Sequence, residues 1–216
     1  AAQCLLNPKA DALQGFRREW LRYYNRITDS KSMNKYILVD AANSKKKESD
    51  YTAMWVIGLC ADENFYALDF IRDRLNLSER TTRLIQLHRK WKPRQVRYER
   101  YGLMSDIEHI KDKMEEENYR FDITEVAGKL GKDDRIRRLM PAFEQGRFYL
   151  PRTLHVTNWE KNVIDLVHSF IEEEFFPFPV SNHKDMLDAL ARLFEPDLKL
   201  VWPKERKDDG YMPLPQ

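Results

Sequence analysis

Four carboxylates stand at the edges of segments whose residue types mark them as ordered. Asp40 closes the apolar run Tyr36-Ile-Leu-Val-Asp40, and Glu99 closes the alternating run Gln95-Val-Arg-Tyr-Glu99. Asp185 stands near the start of His183-Lys-Asp-Met-Leu-Asp-Ala-Leu190, with Asp188 three residues on. Carboxylates brought together from separate segments repel, and each raises the others' pKa unless a cation sits between them. Two Mg²⁺ or Mn²⁺ ions about 3.5–4 Å apart relieve that repulsion, activate a water and neutralise charge as a phosphodiester is displaced in line. Oxygen-only ligands favour Mg²⁺ or Mn²⁺ over Zn²⁺. A plainer reading stands beside this one: Asp40 is a turn residue after a strand, and most of the 35 acidic residues are solvated surface. Spacing alone leaves both open.

Cations that could meet a phosphate backbone fall in two places. Lys45, Lys46 and Lys47 follow the first run, and Lys132, Arg135, Arg137 and Arg138 make a denser patch. Lysine runs in loops are often only solvated, so the second group is the stronger candidate for DNA contact. His183 could orient a water or a phosphate, or simply cap and pack a helix start. Trp55, Trp91, Trp159 and Phe170 recur at core spacing and are assigned to packing.

These residues need a scaffold. The chain has 216 residues, 42% of them apolar, enough for one well-buried core. Charged residues reach 33% while the net charge is only +2, so a nucleic-acid surface would be a local patch rather than a global field. Cys4 and Cys60 lie far apart in unlike contexts, which argues against a disulfide framework and for a reducing compartment. No apolar run approaches the ~20 residues of a membrane span. The expectation is a soluble, intracellular protein with no membrane partner.

Tyr36–Asp40 is expected as a buried strand, followed by strands over Tyr51–Cys60 and Asn64–Ile71, a three-stranded antiparallel meander. A helix capped by Ser78 runs to Pro93, then come a strand over Gln95–Glu99, a charged helix from Gly102 to about Asn118 and a strand over Phe121–Val126. The spacing predicts a helix over Arg135–Phe143, a strand over Gly146–Pro151 and helices over Asn158–Phe175 and His183–Phe194. That order specifies an α/β fold with a mixed sheet, a meander plus parallel strands, flanked by helices. Parallel crossovers would set Asp40 and Glu99 on neighbouring strands, with Asp185 completing the set from a helix.

Four stretches in this order carry a resemblance: Asp40-Ala-Ala-Asn-Ser-Lys-Lys-Lys-Glu-Ser-Asp-Tyr-Thr-Ala53, Val96-Arg-Tyr-Glu99, Lys132-Asp-Asp-Arg-Ile-Arg-Arg-Leu-Met-Pro-Ala-Phe-Glu-Gln-Gly146 and His183-Lys-Asp-Met-Leu-Asp-Ala-Leu190. Together they resemble the C-terminal nuclease domain of the large terminase subunit of tailed bacteriophages. The resemblance implies an RNase H-like fold and a Mg²⁺- or Mn²⁺-dependent endonuclease, with two ions, that cuts concatemeric double-stranded viral DNA. It implies as partners an upstream ATPase domain of the same polypeptide, the portal and the small terminase subunit. The setting it implies is the host cytoplasm and, transiently, the procapsid portal.

By position in those motifs, the resemblance implies that Asp40, Glu99 and Asp185 would be the catalytic metal ligands and Asp188 a further metal-site acid. Asp50 and His183 stand as supporting residues. The family's helix motif often reads His-Asp-Asp, whereas here it is His183-Lys184-Asp185, so Lys184 replaces a carboxylate and would meet a phosphate or weaken an outer ion. Gln3-Cys-Leu-Leu-Asn-Pro8 resembles the junction after the family's ATPase domain. Residues 1–32 are accordingly expected as a linker with an amphipathic helix, 33–202 as the nuclease domain and 203–216 as a loose tail. Two other readings remain: a junction resolvase or RNase H-type hydrolase of the same fold, and a non-catalytic module that binds DNA or docks a motor partner.

Overall fold

The computed structural model describes residues 15–27, 29–42, 51–99, 104–127 and 130–204. β2 (Asn34–Asp40), β3 (Thr52–Leu59) and β4 (Phe65–Asp73) form the antiparallel meander. Helix α1 (Leu77–Trp91) returns the chain so that β5 (Gln95–Glu99) lies parallel to β2. Helix α2 (Met104–Glu116) then leads to β6 (Ile123–Val126), parallel to β5. Two short helices, α3 (Lys132–Arg137) and α4 (Met140–Glu144), precede β7 (Phe148–Pro151), which runs parallel to β4. With β1 (Arg22–Tyr24) on its far side, β7 completes a seven-stranded mixed sheet in the order β1-β7-β4-β3-β2-β5-β6.

Both faces of the central strands are covered, which is why they read as unbroken apolar runs. Tyr36 and Leu38 of β2, with Ala53, Trp55 and Ile57 of β3, join one core, while Ile37, Val39, Met54 and Val56 join the other. Leu84 and Leu87 of α1 and Ile107, Ile110 and Met114 of α2 close the second core. The first core is closed by the later helices, including α6 (Asp185–Ala191), which continues as a 3-10 turn over Arg192–Phe194. Among the described residues no helix is long and apolar enough to cross a membrane.

Three local expectations are corrected. The cap of α1 is Asn76, not Ser78: its side chain accepts from the Glu79 amide at 2.9 Å while Glu79 accepts from the Asn76 amide at 2.8 Å, a reciprocal capping box. The helix expected before residue 32 is, in the described part, only a 3-10 turn (Arg18–Trp20) leading into β1. Phe16, Trp20 and Leu21 are buried in the first core, with Phe16 stacked 4.4 Å from Phe175, so an open sheet edge and an aromatic pocket override local periodicity. The helix expected over Asn158–Phe175 starts late. Its first part is a hairpin, β8 (His155–Thr157) and β9 (Val163–Asp165), and helix begins only at α5 (Leu166–Ser169), which passes into a π-helical turn over Phe170–Phe175.

Candidate metal centre

Side chains alternate along a strand, so Asp40 follows Tyr36 and Leu38 onto the face of the first core. The β2–β5 register pairs Val39 with Tyr98, which brings the next residues, Asp40 and Glu99, side by side at the ends of two parallel neighbours. Helix α6 crosses the same face, anchored by the buried Met186, Leu187 and Leu190, and by the Trp55 indole donating to the Met186 carbonyl at 2.8 Å. Asp185 and Asp188, three residues apart, share the helix surface that looks back at the strand ends.

Asp40, Glu99 and Asp188 form a group whose ligand oxygens all lie within 4.8 Å of one another, and all three are buried. Asp185 stands just outside it. One of its oxygens accepts the Tyr51 amide at 3.1 Å and the other accepts Lys132 Nζ at 3.0 Å. Three cations answer these four acids. Arg135 donates to both oxygens of Asp188 at 2.6 and 2.7 Å and lies 3.8 Å from Glu99. Arg192, fully buried, donates from Nε to Glu99 at 3.0 Å and from a second nitrogen to its other oxygen. Lys132 reaches Asp188 at 3.8 Å as well.

The electrostatics follow from burial. Loss of solvent, then the neighbouring Glu99, pushes the Asp40 carboxyl well above its ordinary 3.8; Lys132 opposes this, while Asp188 and Asp185 add to it. Burial works against the charge on Lys132, yet Asp185, Asp40 and Asp188 outweigh it and raise its pKa. The donor set suits a hard divalent cation. Each carboxylate carries about four lone-pair sites, so Glu99 and Asp188 can accept from their arginines and still offer oxygen to an ion.

The other expected residues are dispersed. Arg138 pairs with Glu195 at 3.3 Å, Arg137 lies 5.5 Å from the Phe178 ring, and Lys184 donates to Asp133 at 2.7 Å rather than facing the carboxylates. Lys132 and Arg135, read from sequence as DNA contacts, close over the acids because an uncompensated buried carboxylate is the costlier arrangement. His183 meets the Tyr51 ring edge-on at 5.0 Å, with Nδ1 3.9 Å from Asp185. Lys45, Lys46, Lys47 and Asp50 lie outside the described residues.

Two residues that pattern reading missed hold the site. Arg192 follows Asp188 by four positions, the spacing that puts two side chains on one helix face, and that was the available signal. Glu174 is fully buried on the π-helical turn and accepts the amides of Met186 and Leu187 at 2.9 and 3.2 Å, so it caps α6 from a distant segment. Burial raises its pKa to about 7, with Arg72 pulling down and Asp185 pushing up. Glu174→Ala should cost about 2–4 kcal/mol, because two helix-start amides lose their acceptor and buried Arg72 loses one of its two carboxylate partners, keeping Glu173 at 2.5 Å. Glu174→Gln, which keeps an acceptor oxygen, should recover about half. Urea unfolding checks this, and an Ala variant as stable as the parent would remove Glu174 from the support of α6.

A seven-stranded mixed sheet with acids at the ends of two adjacent parallel strands, crossed by an acid-bearing helix, defines the class: an RNase H-like domain with a carboxylate centre. The chain matches the model of the terminase RNaseH-like domain over residues 37–195, and it belongs to that family. The human cytomegalovirus terminase nuclease domain is similar in fold, with a TM-score of 0.55 and 11% identity over 84% of this chain and 96% of that one. A manganese-soaked, inhibitor-bound form of it gives 0.54 and 13% over 82% and 92%. The magnesium-bound large terminase nuclease of thermophilic phage G20c gives 0.47 and 16% over 79% and 88%. No curated protein matches the chain.

Proposed function

We propose that the chain is the nuclease domain of a large terminase subunit, cutting concatemeric double-stranded DNA by hydrolysis that depends on Mg²⁺ or Mn²⁺. The observation that carries this is the buried, oxygen-only group Asp40, Glu99 and Asp188 in a member of the terminase RNaseH-like family. The cytomegalovirus nuclease domain that was soaked with manganese supports the choice of metal. Divalent metal held there supplies Lewis-acid neutralisation of the phosphodiester and a more acidic water.

The chain's own residues have distinct tasks. Asp40, Glu99 and Asp188 hold the metal. Arg135 and Arg192 lock two of those carboxylates into one orientation, which keeps the donors pre-set. Asp185 fixes Lys132 and the Tyr51 amide, leaving the partly exposed Lys132 ammonium at the rim, where phosphate charge would gather. In the packaging machine the partners would be the upstream ATPase domain, the portal and the small subunit, in the host cytoplasm and at the procapsid portal.

Plasmid nicking with Mn²⁺, Mg²⁺, Ca²⁺ or EDTA tests the reading. Nicking is expected with Mn²⁺ and Mg²⁺ and not with EDTA, and Ca²⁺, with its longer and looser coordination, should support little. No cleavage with any metal would move the chain to the non-catalytic DNA-binding reading.

A further inference from the structure

The end of β4, the first turns of α1 and the tip of the β8–β9 hairpin enclose an open groove of about 580 Å³. Its cations are Arg74, Arg83 and Lys161, with Ser78, Thr82 and Asn158 as neutral donors. Arg74 is only 6% exposed. It stacks 4.1 Å from the Tyr51 ring centroid and donates to the Tyr51 hydroxyl at 2.9 Å, yet its Nε has no partner among the described residues. Arg72 stacks on the same ring at 4.2 Å, but its charge is already met by Glu173 at 2.5 Å and Glu174 at 3.2 Å. A buried guanidinium N–H without an acceptor is costly, so Arg74 is suited to an anion.

The acids at the groove are engaged elsewhere. Asp73 accepts the amides of Arg74 and Trp159 at 2.9 and 3.1 Å, and Glu79 accepts that of Asn76 in the capping box. Among the described residues that line the groove, three cations stand against these two acids, and the start of the 15-residue α1 adds its dipole. A smaller recess lined by Tyr51, Arg72, Trp159 and the acids Asp73, Glu160 and Glu173 adjoins it, and the Tyr51 amide donates to Asp185, so one residue links the groove to the metal centre.

We propose that this groove binds a backbone phosphate of the DNA being cut, away from the scissile bond, through Arg74 at its base and Arg83 and Lys161 on its walls. The proposal rests on the DNA-nuclease reading above and adds a positioning contact to it. Each phosphate neutralised contributes about 0.9 to the slope of log affinity against log salt.

Duplex binding by fluorescence anisotropy in Ca²⁺ over a KCl series tests it. Arg83 and Lys161 are exposed, so Arg83→Gln with Lys161→Gln spares the core. The double variant should bind about tenfold more weakly, with a salt slope lower by about 1, and should still nick with Mn²⁺ at saturating DNA. Lys31→Gln, exposed at the opposite end of β2 from Asp40, should bind as the parent does. Parental affinity and slope in the double variant, or an equal loss in Lys31→Gln, would overturn the proposal. So would inorganic phosphate binding that the double variant abolishes with duplex affinity unchanged, which would make the groove a small-anion site. A parent chain that fails to nick with any metal, but loses duplex affinity in the double variant, would sink the nuclease reading and leave the groove standing.

Discussion

Asp188→Asn is expected to lower metal-dependent plasmid nicking by about a thousandfold or more, and Asp185→Asn by far less. Asp188 belongs to the 4.8 Å oxygen group with Asp40 and Glu99, whereas Asp185 lies outside it and serves Lys132 and the Tyr51 amide. Charge neutralisation by a bound metal is worth several kcal/mol at the transition state, and each 1.36 kcal/mol is about tenfold in rate. Asn is the informative replacement because its remaining oxygen can still accept from Arg135; Ala would strand a buried guanidinium and confuse folding with chemistry. Calorimetric titration with Mn²⁺ should show the same ranking of the two variants. A larger loss in Asp185→Asn than in Asp188→Asn would return the third ligand to Asp185, where the family resemblance put it.

Arg135→Met should destabilise the metal-free domain by about 3–5 kcal/mol, the usual cost of removing one partner of a buried ion pair. Arg135 is 3% exposed and makes two hydrogen bonds to the fully buried Asp188, with Glu99 beside it. Without the guanidinium, Asp188 and Glu99 face each other with less compensating charge, and one of them must take up a proton or the helix must move. Divalent metal supplies the missing charge, so saturating Mn²⁺ should narrow the gap between variant and parent. Binding linkage alone adds about 2.7 kcal/mol at a hundredfold excess over Kd. Urea unfolding in EDTA and in Mn²⁺ measures both terms. A loss below about 1 kcal/mol in EDTA, or an equal loss in both conditions, would show that Arg135 is not the counter-charge of the centre.

Legibility from residues followed the range of the forces involved. The strands from Tyr36 to Glu99 were readable because two-sided burial and short turns leave a local signature. β1 was not, since Arg22–Tyr24 is held by pairing with a strand more than a hundred positions later. The β8–β9 hairpin was hidden because Trp159, Val163 and Leu166 happen to recur at helical spacing, although the hairpin separates them.

By itself the sequence determined the α/β class, the meander and the parallel β2–β5 relation, because each follows from patterning within a few residues or from one crossover; the acids Asp40, Glu99, Asp185 and Asp188 were singled out by family resemblance, since spacing left them open. Only the tertiary structure decided which acids converge, that Lys132, Arg135 and Arg192 turn inward to neutralise them, and that Glu174 caps α6. Those outcomes depend on angstrom-scale packing between segments far apart in the chain, where desolvation makes every buried charge find a partner and neighbouring residues carry no record of which partner it will be.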